Sequence, residues 1–153
     1  MFFVNEIIYI FKVRILAVEY PGYGVYTSHK PNSDLIQEDS IAVYDYLVKK
    51  VGFKEKNIMV LGRSIGSGPA SYLASQRNPG ALIMMSSFTS LRSVVKDHVG
   101  GLQKILKERF NNHENIKKVK CPCFFIHGLQ DKLISYQHSQ KLHGNKTFIN
   151  ILK

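Results

Sequence analysis

One short segment constrains the fold of this chain more than any other feature. An apolar run at residues 57–61 (NIMVL) leads directly into Gly62–Gly66 (GRSIG), and helix-forming residues follow. A serine on a sharp turn from strand to helix is strained, so the residues two before and two after it, Gly62 and Gly66, should lack a Cβ atom. The segment therefore predicts that the hydroxyl of Ser64 stands above the edge of a sheet, at the start of a helix.

The rest of the chain alternates between strand-like and helix-like stretches, which is typical of an α/β fold. We predict a mostly parallel sheet with helices on both faces. Predicted strands cover residues 13–20, 57–61, 81–86, 121–127 and 147–152. Predicted helices cover residues 34–51, the segment after Ser64, residues 91–106 with an interruption at Gly100-Gly101, and residues 135–142, whereas residues 111–120 are predicted to be a loop.

Composition excludes several classes of protein. The 153 residues are 44% hydrophobic and 21% charged, which is globular composition. No run of 18 apolar residues occurs, so no ordinary transmembrane helix is predicted. The two cysteines exclude a disulfide scaffold and favour a reducing, cytoplasmic compartment. The apolar start lacks the basic region and cleavage site of a secretory signal.

The net charge of +10 invites the hypothesis of a nucleic-acid partner. Basic residues, however, fall in scattered pairs with acidic residues between them, and no zinc-finger, RNA-binding or arginine-rich motif occurs. A solvated basic surface is the favoured interpretation, and no nucleic-acid partner is predicted. Weak attraction to an anionic membrane surface, and with it a peripheral membrane location, stays open.

Two segments carry candidate chemistry. Ser64 is a candidate nucleophile, and the backbone N–H of Ile65, at the start of the following helix, can donate to an oxyanion. Pro69 predicts that the first turn of that helix is irregular. The second segment is His127–Asp131 (HGLQD), in which Asp131 follows the end of a later strand. A triad carboxylate would lie there, because the chain order serine, acid, histidine is that of one group of hydrolases.

Four segments together carry a resemblance to a known family. They are residues 17–24 (AVEYPGYG), 62–70 (GRSIGSGPA), 88–90 (FTS) and 125–131 (FIHGLQD). In this order they resemble the α/β-hydrolase superfamily, and more narrowly the abhydrolase-domain serine hydrolases, whose best-known members are protein depalmitoylases; a serine-aminopeptidase-like profile overlaps with them. The resemblance implies Ser64 as nucleophile, Asp131 as acid and the Ile65 N–H as half of the oxyanion hole. It also implies a small acyl compound or an acylated protein as substrate, with no cofactor and no metal.

The sequence departs from this family at both ends. The family places its base histidine after the last strand, and no histidine follows residues 147–152. We predict that His138 and His143 lie on the surface, and that His127 is a strand-end residue near the site rather than the base. No His-Gly pair precedes Val13, although the family uses one for its other oxyanion donor. The expectation is therefore a single partial domain over residues 1–153, with residues 1–12 a remnant of a crossover helix or an irregular replacement.

These departures leave two functions open. One is a serine hydrolase that cleaves an ester, thioester or amide through an acyl-serine. The other is a catalytically inactive hydrolase fragment that acts as a binding or assembly module. The missing base should lower the rate by several orders of magnitude, so the two are separable by assay.

Three further patterns have simpler interpretations. Cys121 and Cys123 with His127 make a poor tetrahedral metal set, so a core and strand-entry role is predicted. Residues 88–118 could contain a helical cap over an acyl pocket, although packing on the sheet is favoured. Three tyrosines near Gly22 either line the mouth of the site or form an aromatic turn; they are Tyr20, Tyr23 and Tyr26.

Overall fold

The computed structural model describes residues 8–10, 12–99, 108–144 and 147–151. The chain falls into two compact units, Met1–Asn32 and Ser33–Lys153. The described helices of the second unit are α1 (Ser33–Lys49), α2 (Ser67–Gln76), α3 (Leu91–Val99), α4 (Asn112–Lys118) and α5 (Gln137–His143). Its described strands are β1 (Met59–Arg63), β2 (Ala81–Met85), β3 (Cys123–Gly128) and β4 (Thr147–Ile151).

The four strands form one parallel sheet in the order β1-β2-β3-β4. In the register of this sheet Arg63 pairs with Met85, and Met85 pairs with Ile126. The carboxyl ends of β1, β2 and β3 therefore lie at the same height. The prediction of an α/β fold with a parallel sheet is confirmed, and parallel neighbours of this kind require the crossover helices seen between them.

The hydrophobic core lies on one face of the sheet. Alternate residues of β2 and β3 are buried there, and α2, α4 and α5 contribute the facing side chains; the core includes Leu82, Met84, Cys123, Phe125, Ala70, Ala74, Ile116 and Leu142. The small side chains of α2 allow this helix to approach the sheet closely. On β1 and β3, in contrast, Met59, Leu61 and Phe124 are exposed by 57%, 43% and 37%.

Both cysteines belong to this core. Cys121 and Cys123 are both buried, the first just before β3 and the second at its start. Their predicted core and strand-entry role is therefore confirmed. Among the described residues, no group of three or more His, Cys, Asp or Glu side chains could hold a metal ion. None of the described helices has both the length and the apolar character that a membrane span requires.

Two predicted elements are wrong. Residues 13–20 do not form a strand in the structure. A β-branched run becomes a strand only when a neighbour supplies ladder hydrogen bonds, and no described strand pairs with it. Residues 111–120, predicted to be a loop, contain α4. Its start is stabilised by Asn111, whose side chain accepts a hydrogen bond from the Glu114 N–H.

Where both lie among the described residues, the predicted and observed boundaries of the remaining elements differ by at most two residues. The strand predicted from Asn57 begins at Met59, because Glu55–Asn57 form a turn of 3₁₀ helix and the Ile58 N–H donates to the Glu55 carbonyl. The helix predicted over residues 91–106 is seen as α3, and the part beyond Val99 lies outside the described residues.

The described part of the first unit contains a tight turn. The Gly22 N–H donates to the Tyr26 carbonyl over 2.7 Å, and the Tyr23 N–H donates to the Tyr20 carbonyl over 3.0 Å. Gly22 has a φ of +85°, a conformation that glycine adopts without strain. The backbone turn is therefore present, whereas the packing of the three tyrosines in it stays a prediction. Burial raises the pKa of the Tyr20 hydroxyl.

Candidate active site

Ser64 occupies a strained turn between β1 and α2. Its φ is +51°, in the left-handed region that a residue with a Cβ atom rarely adopts. Such a conformation costs about 1–3 kcal/mol and persists only when the surrounding structure enforces it. A turn of 3₁₀ helix, Ser64–Gly66, follows directly and leads into α2. In the described part of the chain, no hydrogen bond engages the Ser64 hydroxyl.

Close packing around Gly62 enforces this turn. A Cβ atom on Gly62 would lie 2.5 Å from the Gly66 carbonyl oxygen, 2.6 Å from the Ala70 Cβ and 2.8 Å from the Ser67 Cα. Each of these distances is too short for carbon, so only glycine fits. Gly66 itself has an ordinary helical φ of −64°. The sequence predicted that neither Gly62 nor Gly66 has room for a Cβ atom. The structure shows this at Gly62, where β1 passes under the start of α2.

The backbone after Ser64 has the irregular start that Pro69 predicts. The Ser67 N–H donates to the carbonyls of both Ser64 and Ile65, and Pro69 lies in the first turn of α2, where no N–H is needed. Ile65 stands at the beginning of this helical segment, where backbone N–H groups lack intrahelical acceptors. Ile65 is 46% exposed. The position suits an oxyanion donor, and that role of the Ile65 N–H stays a prediction.

Asp131 lies in the loop after β3, which we call the acid loop (residues 129–134). Its Oδ1 accepts hydrogen bonds from the N–H groups of Leu133, at 2.9 Å, and Ile134, at 3.0 Å. Its own N–H donates to the Gly128 carbonyl over 3.1 Å. The carboxylate therefore stabilises the loop that carries it. Its other oxygen, Oδ2, is 3.6 Å from the Nε2 atom of His127.

His127 is a buried strand-end residue, with 1% of its surface exposed. Its Nε2 lies 2.8 Å from the Ile134 carbonyl, which can only accept, so Nε2 carries the proton. Its Nδ1 is 2.7 Å from the Ser139 hydroxyl, and Ser139 is 2.7 Å from the buried Ser87 hydroxyl. Both ring nitrogens are occupied, which agrees with the predicted structural role.

His138 is not the surface residue that we predicted. It is only 4% exposed and links α5 to two other segments. Its Nε2 is 2.9 Å from Asp97 Oδ2, and its Nδ1 is 3.0 Å from the Thr89 hydroxyl. Burial lowers the pKa of His138, and the hydrogen bond to Asp97 opposes this shift. His138 and the core residue Leu142 are four residues apart, which places both side chains on one face of the helix. This spacing is the feature of the sequence that indicated the burial of His138.

Ser64 and Asp131 leave the same edge of the sheet. β2 separates their strands, so two spacings of parallel neighbours, about 10 Å, lie between β1 and β3. An imidazole would have to bridge that gap in a triad. Among the described residues, His127 is the only histidine paired with Asp131, at 3.6 Å, and no histidine is bonded to Ser64. His98 donates instead to the Leu133 carbonyl, 2.7 Å away.

Comparison of sequences finds relatives that are named as α/β hydrolases. The chain is 30% identical over 130 residues to the α/β hydrolase domain-containing protein aho-3 of Caenorhabditis elegans, covering 85% of this chain and 38% of that protein. It is 30% identical over 130 residues to the human α/β hydrolase domain-containing protein 17B, covering 84% and 44%. To the mouse protein 17C the identity is 32% over 131 residues, covering 85% and 40%. The chain thus spans about two fifths of the length of these relatives. No family model matches.

Comparison of structures agrees. An α/β hydrolase from Vibrio vulnificus superposes with a TM-score of 0.67 at 18% identity, covering 80% of this chain and 50% of that one. A puromycin-hydrolysing peptidase from Mycobacterium tuberculosis superposes with a TM-score of 0.68 at 15% identity, covering 87% and 24%. These neighbours show that the chain has an α/β-hydrolase fold. In sequence it is similar to the α/β hydrolase domain-containing proteins, as the motifs suggested.

Proposed function

We propose that this chain carries the nucleophile and the acid of a serine hydrolase that cleaves an ester, thioester or amide through an acyl-serine. The observation that carries the proposal is the positive φ of Ser64 between β1 and α2. Strain of this kind is retained where exposure of a side chain is useful. The names of the relatives, as α/β hydrolases, support the same reaction class.

The chemistry follows from the positions of three groups. The Ser64 hydroxyl attacks the acyl carbon and forms a tetrahedral intermediate, and the N–H of Ile65 donates to the oxygen that becomes negative. Loss of the leaving group gives the acyl-serine, and water then releases the acid. Asp131 would orient a histidine base that accepts the serine proton and passes it to the leaving group. A small acyl compound or an acylated protein is the proposed substrate, and a palmitoyl thioester is the most specific form of this proposal.

The net charge of +10 is the feature that supports contact with a membrane. An acylated protein is held at an anionic membrane surface, and basic residues are attracted to such a surface. We therefore include peripheral membrane association in the proposal, with a cytoplasmic location.

A second candidate function has its own observation. His127 and His138, the buried histidines on the acid side of the site, use their ring nitrogens for other partners. No histidine of the described chain is bonded to Ser64. The alternative is therefore an inactive hydrolase fragment that serves as a binding or assembly module.

Hydrolysis of p-nitrophenyl acyl esters and of an acyl thioester, with and without added imidazole, distinguishes the two. Suppose that Ser64 is a competent nucleophile that lacks a base. In imidazole, the wild type should then hydrolyse the substrate at least about tenfold faster than Ser64→Ala, since general-base catalysis contributes 10²–10⁴-fold. Ser67→Ala is not a suitable control, because Ser67 is bonded to the turn; Ser75→Ala, further along α2, is the matched serine control. Equal rates for wild type and Ser64→Ala in imidazole would remove the hydrolase proposal and leave the module.

A further inference from the structure

A buried polar cluster lies behind the start of α2. Asn112, the first residue of α4, has no exposed surface. Its Nδ2 donates to the Ser67 hydroxyl over 3.0 Å and to the Phe88 carbonyl over 2.8 Å. Its Oδ1 accepts from the Ser71 hydroxyl over 2.7 Å. A buried amide with all of these bonds made fixes the relative positions of its partners, because breaking any one leaves a buried group unpaired.

Ser67 connects this cluster to the reacting residue. Its backbone N–H donates to the carbonyls of Ser64 and Ile65, and its Cα limits the space at Gly62. Ser67 is itself fully buried. The hydroxyl of Ser67 is therefore anchored by Asn112, while its backbone is anchored to the strained turn. Displacement of Ser67 would move the Ser64 carbonyl and the Ile65 N–H together.

The segment that holds Asn112 is fixed independently of α2. The Asn112 N–H donates to the Phe110 carbonyl over 2.8 Å, and the His113 N–H donates to the Thr89 carbonyl over 3.0 Å. The Leu91 N–H donates to the Arg109 carbonyl over 3.1 Å. The last two of these hydrogen bonds join the two ends of the segment that contains α3. The side chain of Asn112 thus projects from a segment that is tied to the loop after β2.

We propose that Asn112 is a positioning residue for the nucleophile: through Ser67 it holds the Ser64 turn, and with it the Ile65 N–H, in the reactive geometry. The inference rests on the proposed role of Ser64. It assigns to α4 a function in the site, although α4 contributes no group that would contact the substrate.

The test uses the chain with Asn112→Ala, Ser67→Ala, the double variant and Asn115→Ala. Asn115 is the matched control, because its Nδ2 donates to the same Ser71 hydroxyl over 3.0 Å without contacting Ser67. The first measurement is the second-order rate of Ser64 labelling by a fluorophosphonate, corrected for the folded fraction. We expect a loss of about tenfold in Asn112→Ala and in Ser67→Ala, since small misplacement near a reacting atom can cost up to about 10²-fold.

The double variant should lose no more than either single variant, because both substitutions remove the same hydrogen bond. Asn115→Ala should stay within about twofold of wild type. Equal losses in Asn112→Ala and Asn115→Ala, or fully additive losses in the double variant, would overturn the proposal. Ser67→Ala covers the case in which Asn112→Ala fails to fold, because it leaves the bond between Asn112 and the Phe88 carbonyl in place.

The amide NMR signals of Ile65 and Gly66 give a readout that does not depend on reactivity. We expect them to shift in Asn112→Ala and Ser67→Ala and to remain in place in Asn115→Ala. Should wild type show no labelling at all, the proposed function fails while these signals still decide the role of Asn112. Unchanged signals in Asn112→Ala would contradict the positioning role whatever the labelling shows.

Discussion

The turn at Ser64 and the loop that carries Asp131 leave the same edge of the sheet, but they are stabilised in opposite ways. The turn at Ser64 holds an unfavourable φ of +51°, and packing against Gly62 enforces it. Asp131 instead stabilises its own loop, because its Oδ1 accepts two backbone hydrogen bonds. Among the described residues, the Ser64 hydroxyl makes no hydrogen bond. One carboxylate oxygen of Asp131, in contrast, already accepts two.

This difference predicts which kind of substitution should disrupt each half of the site. Steric changes behind the turn should affect Ser64 strongly, since strain is retained only while packing enforces it. The acid loop should depend on hydrogen-bond acceptors rather than on packing. Three predictions test the contrast, in order of decreasing effect.

The largest effect is expected for Gly62→Ala. The new methyl group would meet the Gly66 carbonyl, the Ala70 side chain and the Ser67 backbone, so we expect a loss of about 3 kcal/mol or more in the free energy of unfolding. Gly52→Ala is the matched control, because Gly52 has a φ of +86° but no atom within 4 Å of its Cβ position. Only conformational strain acts there, at about 1 kcal/mol. Urea denaturation measures both, and equal losses would contradict the steric account.

An intermediate effect is expected for Asp131. Asp131→Ala removes the acceptor of the Leu133 and Ile134 N–H groups and should lower the free energy of unfolding by about 1–2 kcal/mol. Asp131→Asn keeps an oxygen in that position and should cost about half as much or less. Hydrogen exchange of the Leu133 and Ile134 amides gives a local measure. If the two variants were equally destabilised, the loop would not depend on this acceptor.

The smallest effect concerns pH. Burial lowers the pKa of His138 in the folded chain, so stability from its neutral form is complete above about 6.5 and is lost as the pH falls through the folded pKa. Protonation would place a proton on Nδ1, which faces the Thr89 hydroxyl and N–H. Asp97, Lys141 and His127 are the other titratable groups that act on this ring.

Denaturation of wild type and His138→Gln between pH 8 and pH 5 tests this sign. The wild type should lose stability more steeply than His138→Gln below pH 6.5. Parallel pH curves would show that His138 does not titrate as its environment predicts.

The sequence predicted those parts of the structure that depend on short local patterns. The turn at Gly62–Gly66, the parallel strands and the core cysteines follow from glycine spacing and apolar runs. The strand predicted at residues 13–20 failed because a strand also needs a partner, which local residue types do not specify.

The polar groups around the site were harder to predict, because their roles depend on contacts between distant segments. Asn112 lies in a polar stretch that resembles a loop, yet it is fully buried 45 residues after Ser67, to which it is bonded. His138 is likewise buried by Asp97 and Thr89, which come from elements far away in the sequence. Only the helical spacing between His138 and Leu142 indicated its burial.

The most direct test of the central claim is covalent labelling of the chain with a fluorophosphonate, followed by intact-mass and peptide analysis. The strained turn predicts a single adduct on Ser64, which is absent in Ser64→Ala and still forms, at a similar rate, in Ser75→Ala. Labelling spread over several serines, or an adduct that persists in Ser64→Ala, would contradict the assignment of Ser64 as the nucleophile.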